Sequence, residues 1–103
     1  MNNVAIVGRL KEDVKLTSDE KRNTYYANLI LDVEDGYSNK ERDRFVTVEC
    51  ECGGKKAKAL HDYLRIGELI SVKGRLVPKH NFPDILVVRI DDFQFLKVGN
   101  KID

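Results

Sequence analysis

Lys73, Arg75 and Lys79 recur at odd positions in the stretch Leu-Ile-Ser-Val-Lys-Gly-Arg-Leu-Val-Pro-Lys over residues 69–79. An extended strand alternates its side chains with a period of two. Ile70, Val72, Gly74 and Leu76 then share one face, and Ser71, Lys73, Arg75, Val77 and Lys79 share the other. Three cations on one face of a strand repel each other unless something anionic lies across them or the face is fully solvated. Flat exposed side chains beside such cations would complete a surface able to stack bases and follow phosphates. Tyr37, Phe45 and Phe82 are the aromatic candidates, with His80 two residues before Phe82.

Other constellations carry less chemistry. Cys50 and Cys52 are one residue apart, whereas zinc sites pair cysteines at wider spacing and need four convergent ligands. Two small buried thiols are expected instead, with no metal and no cofactor. Gly53-Gly54-Lys55-Lys56 lacks the spacing and the Ser/Thr of a phosphate-binding loop and is read as a turn into a helix. His61 and Asp62 are neighbours on that helix, and adjacent helical residues point in different directions, so no relay between them is expected. No nucleophile–base pairing is visible, and an enzyme is not expected.

The elements that must position these residues follow from periodicity. Residues 3–10 read as a first strand, with Val4, Ile6 and Leu10 on one face and Gly8 between them. Residues 11–24 are polar, with charges of both signs, and read as a loop or short hairpin. Residues 25–34 form a second strand with Ala27, Leu29, Leu31 and Val33 inward. Asp-Gly and Ser-Asn mark residues 35–43 as a hairpin loop. Residues 44–52 form a third strand, with Val46, Val48 and Cys50 toward the core and Phe45, Thr47, Glu49 and Glu51 outward. Residues 55–64 read as a helix carrying Ala57, Leu60 and Leu64, with Gly67 just beyond its end. The strand over 69–79 follows. Its Gly74, on the buried side, lets the strand coil or another backbone approach. A turn at residues 80–84 leads to a last strand over 85–97, where Phe93 and Phe95 change phase after Asp91-Asp92 and suggest a bulge.

Five strands with one short helix between the third and fourth predict an all-β OB-fold, a Greek-key barrel. Residues 1–98 would be that domain and 99–103 a short tail. A chain of 103 residues holds one modest core. Charged residues make up 34% of it, yet the net charge is only +1, so any attraction to a polyanion must come from a local cluster. No apolar run approaches the length of a membrane span. The N-terminus shows no signal-peptide pattern, and the cysteine spacing suits a reducing cytoplasm.

Several segments together resemble bacterial single-stranded DNA-binding proteins. Asn2-Asn3-Val4-Ala5-Ile6-Val7-Gly8-Arg9-Leu10 is similar to that family's opening. Residues 63–76, Tyr-Leu-Arg-Ile-Gly-Glu-Leu-Ile-Ser-Val-Lys-Gly-Arg-Leu, resemble its Tyr-Leu-x-Lys-Gly-x-x-Val-x-Val-x-Gly-x-Leu segment. Glu41-Arg42-Asp43-Arg44-Phe45 is similar to its charged lead-in to an aromatic, and Phe95-Leu96 fits the end of its barrel. The resemblance implies binding to single-stranded DNA without sequence preference, in replication, recombination or repair, by a homodimer or homotetramer. It implies Tyr37 as the hairpin aromatic, Phe45 as the third-strand aromatic, and His80 or Phe82 as the one after the fourth strand. Lys73, Arg75 and Lys79, helped by Arg9, would track phosphates. The apolar first strand, with Val4 and Ile6, would pair subunits.

The chain also departs from the family pattern. Glu51 stands where the family carries a second aromatic, and Glu49 precedes it on the same face. Residues 99–103 offer no counterpart to the family's acidic, hydrophobic C-terminal tip, so recruitment of enzymes by that route is not expected. The short length also resembles the primosomal replication proteins. The alternative expectation is therefore an OB-fold adaptor that binds a protein partner in place of DNA.

Overall fold

The computed structural model describes residues 1–34 and 45–96. Within them run β1 (Val4–Leu10), β2 (Lys15–Asp19), β3 (Thr24–Glu34), β4 (Phe45–Gly53), α1 (Lys55–Tyr63), β5 (Leu69–Lys79) and β6 (Phe82–Leu96). The candidate Tyr37, the hairpin loop around it and the C-terminal tail lie outside the described residues.

The strands close into the expected barrel. β3 pairs with β4, β4 with β6, β6 with β5, β5 with β1, and β1 returns to β3. Every pairing is antiparallel except β4–β6, a short parallel contact of Cys50 with Val88 and Glu51 with Arg89. β2 lies in the segment read as a loop or short hairpin. It takes the same edge of β3 as β1 does: Gly8–Leu10 face Val33–Leu31, and Lys15–Asp19 then face Asn28–Thr24. A five-membered ring therefore persists, with its first strand broken in two.

Alternation builds the core. Leu29, Leu31, Ile70, Val72, Val88 and Ile90 point inward from three strands, and Ala57 and Leu60 of α1, with Leu64 just past its end, close one end. α1 starts after Gly54, whose φ of 78° is a left-handed conformation that favours glycine. It stops at Leu64, which turns extended while its N–H still bonds the Leu60 carbonyl at 3.0 Å. Cys50 and Cys52 are both buried and free, and desolvation pushes the Cys50 thiol up to about 12.

Gly74 faces the core at the tightest point of the ring. A Cβ there would overlap the Arg89 carbonyl and lie 3.1 Å from the Ile90 Cα. Opposite it, β6 carries the bulge anticipated at Asp91: Lys73 pairs with Asp92 and Gly74 with Ile90. The bulge lets Ile90 and Phe93 both pack on the barrel interior.

Four expectations need correction. Leu76 and Val46 are exposed, because β5 and β4 run past the closed part of the barrel. The turn assigned to residues 80–84 shrinks to His80-Asn81, with Asn81 in the left-handed region at φ 69° and β6 starting at Phe82. Val4 and Ile6 pack against the chain's own core, so β1 shows solvent Ala5 and Val7 instead. His61 and Asp62 do meet, with Nδ1 3.0 Å from Oδ1, because both exposed side chains bend together in the last turn.

Candidate nucleic-acid interface

Strand register decides which outward side chains converge. Tyr26, Asn28, Ile30 and Asp32 of β3 stand opposite Gly53, Glu51, Glu49 and Thr47 of β4. Lys15 and Thr17 of β2 extend the row beside Asn28 and Tyr26. β6 brings Arg89 beside Glu51, and β5 brings Arg75 beside Arg89 and Lys79 beside Phe82. Between these strands runs a groove of about 600 Å³, whose walls include Lys15, Arg22, Tyr26, Glu51, His80 and Arg89.

The cations of this face are not bare. Lys79 Nζ lies 3.0 Å from Glu49 Oε2, and Arg89 Nη1 donates to Glu51 Oε2 at 2.9 Å. Arg75 Nη1 reaches Asp91 Oδ1 at 3.3 Å. The anions that keep the β5 cations apart are thus supplied by β4 and β6. Glu49 also accepts from Asn28 Nδ2 at 2.8 Å. That amide bond lowers the Glu49 carboxyl below its ordinary range. Partial burial opposes it, and Lys79 reinforces it. Glu49 and Glu51, which alone would repel a polyphosphate, are each matched to a cation in this way. Lys15 and Arg22 add two further cations to the groove wall.

The expected site residues divide into four places, the first being Arg75, held by Asp91 on the β5–β6 ladder. His80 lines the main groove. Lys79 and Phe82 stand at its β5–β6 end, where Lys79 Nζ sits 5.6 Å from the Phe82 ring centroid in cation–π contact. Phe82 is 55% exposed. Phe45 and Arg9 line a second shallow groove near the β1–β3 seam, with Asp32 and Glu34. Phe45 is 56% exposed there, and Arg9 Nη1 donates to the Gly67 carbonyl at 2.9 Å. Lys73 stands apart, in a small hollow with Ser71, Asp92 and Gln94. Lys73, Arg75 and Lys79 thus meet different neighbours, Asp92, Asp91 and Glu49 in turn, and the three strand cations do not converge on one groove.

Tyr26 and Arg89 line the groove without being marked by sequence periodicity. Alternation puts Tyr26 outward and gives no reason to single it out. Arg89 lies within an apolar run, and only its register against Glu51 marks it. Among the described residues, no three His, Cys, Asp or Glu side chains converge on a point where a metal could sit. No described helix is long and apolar enough to cross a membrane.

A small closed barrel, bridged by one helix and carrying a groove of aromatics and paired cations over its β3–β4 face, defines an OB-fold protein. The single-strand binding protein family model matches residues 1–83. The chain belongs to the single-strand binding protein family. It is 27% identical over 107 residues to a single-stranded DNA-binding protein of Clostridium tetani, covering 98% of this chain and 74% of that one. The single-stranded DNA binding protein of Thermus aquaticus superposes with a TM-score of 0.77 at 23% identity. That match takes in all of this chain, which spans 44% of the Thermus protein's length. The protein priB of Ralstonia solanacearum superposes with a TM-score of 0.71 at 21% identity, over 93% of this chain and 99% of that one.

Proposed function

We infer that the protein binds single-stranded DNA, stacking bases on exposed aromatics and pairing phosphates with groove cations, with no defined recognition sequence. The observation that carries this is the groove itself. It brings Tyr26, His80 and Arg89 to the β3–β4 face in a chain of this family. Phe82 with Lys79 extends it at one end, and Phe45 with Arg9 offers a second aromatic–cation pair beyond β3. Stacking on such platforms contributes about 1–3 kcal/mol per base and tolerates any base. The role is binding without catalysis, in replication, recombination or repair. It places the protein with DNA in a reducing cytoplasm, a setting that suits two free thiols.

The chain has four tyrosines and no tryptophan, so its intrinsic emission reports on tyrosine alone. Adding oligo-dT at low salt is expected to quench that emission, and Tyr26→Phe is expected to remove part of the quench. An unchanged spectrum at saturating oligonucleotide would contradict the proposal.

A homodimer or homotetramer is part of the same proposal. β5 pairs one edge of β1 from Val4 to Arg9, whereas β3 pairs the other edge only from Gly8 to Leu10. Among the described residues no strand covers that second edge over residues 4–7, and Val7 beside it is 48% exposed. An open edge with an apolar neighbour suits pairing with a second copy. Light scattering is expected to give a dimer or tetramer, and Val7→Asp to shift it toward monomer. A wild-type monomer at micromolar concentration would overturn this part.

A PriB-like adaptor is the second reading. The observation that favours it is the pairing of Glu49 and Glu51 with groove cations, which a protein surface could exploit as readily as phosphate.

A further inference from the structure

The floor of the main groove is chemically biased in a way that phosphate tracking does not require. Asn28 of β3 and Glu51 of β4 are direct cross-strand partners, and both line the groove. A carboxylate only accepts, so the Glu49 carboxylate, 2.8 Å away, fixes the Asn28 amide with Nδ2 toward it. Asn28 Oδ1 is left on the other side as an acceptor. Glu51 gives Oε2 to Arg89, and its Oε1 has no hydrogen-bond partner among the described residues. The floor thus presents two acceptors from neighbouring strands, flanked by Lys15 and Arg89 and beside the second hydrogen of the Asn28 amide.

One pair further along, Tyr26 stands opposite Gly53. The absent Cβ of Gly53 would lie 3.7 Å from the Tyr26 ring and 3.8 Å from Arg89 Nη2. Ring and guanidinium therefore flank backbone that no side chain covers. A flat group stacked on Tyr26 would turn its edge toward Asn28 and Glu51.

We propose that Asn28 and Glu51 read the exocyclic amino group of one base stacked on Tyr26, and so favour cytosine over thymine at that position. This rests on the groove being the DNA-binding site. Cytosine presents its N4 amino donor where thymine presents the O4 acceptor. A donor there meets two acceptors, whereas the thymine oxygen meets like partial charge. Arg89 is already held by Glu51 at 2.9 Å, and the O2 carbonyl that both pyrimidines share is open to it with either base. The preference concerns one base position and leaves binding open to any sequence elsewhere.

The test compares labelled oligo-dC, oligo-dT and an oligomer of 2-pyrimidinone, which is cytosine without its amino group, at mildly alkaline pH where cytosine is neutral. Wild type is expected to bind oligo-dC about three- to tenfold tighter than oligo-dT, the range of one net hydrogen bond. The 2-pyrimidinone oligomer should lose that advantage, and Glu51→Ala should bring the dC/dT ratio toward one. Equal or reversed affinities in wild type would overturn the proposal and leave DNA binding standing. A dC preference that survives in the 2-pyrimidinone oligomer would overturn it as well. If neither oligo-dC nor oligo-dT binds, the DNA-binding function falls and takes the proposal with it. The 2-pyrimidinone comparison uses the unmodified chain, so it decides the matter even if Glu51→Ala does not fold.

Discussion

Gly74→Ala is expected to cost about 3 kcal/mol of stability, the upper end for overpacking a core, and to lower the melting temperature by on the order of 15 °C. The added methyl would overlap the Arg89 carbonyl, with the carbonyl carbon 2.8 Å away. Both atoms belong to backbone held in the β5–β6 ladder, so neither can swing aside as a flexible side chain would. Relief requires β5 and β6 to separate beside the Asp91 bulge, where the ladder is already interrupted. Gly53→Ala is the control. Its Cβ would meet only ordinary contacts of 3.7–3.8 Å, and the substitution should change stability by well under half as much. Thermal unfolding of the two variants beside wild type makes the comparison. Equal melting temperatures for both would show that the barrel is not closed tightly at Gly74.

Lys79→Ala/Arg89→Ala is expected to weaken binding to all single strands alike and to flatten its salt dependence. Each phosphate neutralised on a single strand contributes about 0.7 to the slope of log K against log salt. Losing both contacts should therefore reduce the slope by about 1.4. The loss is compounded because Glu49 and Glu51 then face the strand without their partners at 3.0 and 2.9 Å. Phe45→Ala should behave differently. It removes stacking of about 1–3 kcal/mol, roughly 5- to 150-fold in affinity, and leaves the slope nearly unchanged. Salt titrations of both variants separate the two contributions. A double variant with the wild-type slope would show that phosphates do not reach these cations.

The fold was legible because period-two alternation is local. Leu29 and Leu31, or Ile70 and Val72, declare their face within a few residues, and the helix declares itself through Ala57, Leu60 and Leu64. β2 was less legible because Lys15–Asp19 is short and mostly polar, with Leu16 as its one apolar member. Leu76 and Val46 misled because alternation gives a face but not where the barrel ends. The site was legible in its residue types and not in its pairings. Lys79 meets Glu49 across 30 positions of sequence, and Arg89 meets Glu51 across 38. Such contacts depend on strand order and register, which no local pattern specifies. For the same reason the 69–79 stripe looked like one cationic cluster, whereas Lys73 lines a hollow with Ser71, Asp92 and Gln94 and not the main groove.

The most direct measurement is the anisotropy of a labelled oligo-dT titrated with the protein over a series of salt concentrations, with duplex of the same length as competitor. The expected result is saturable binding at low salt that weakens linearly in log K against log salt. Its slope is expected to be on the order of −1.5 to −3, for two to four neutralised phosphates. Duplex, with its bases stacked out of reach of Tyr26 and Phe45, should compete poorly. No measurable binding at low salt, or equal competition by duplex, would contradict the account and turn the groove over to a protein partner.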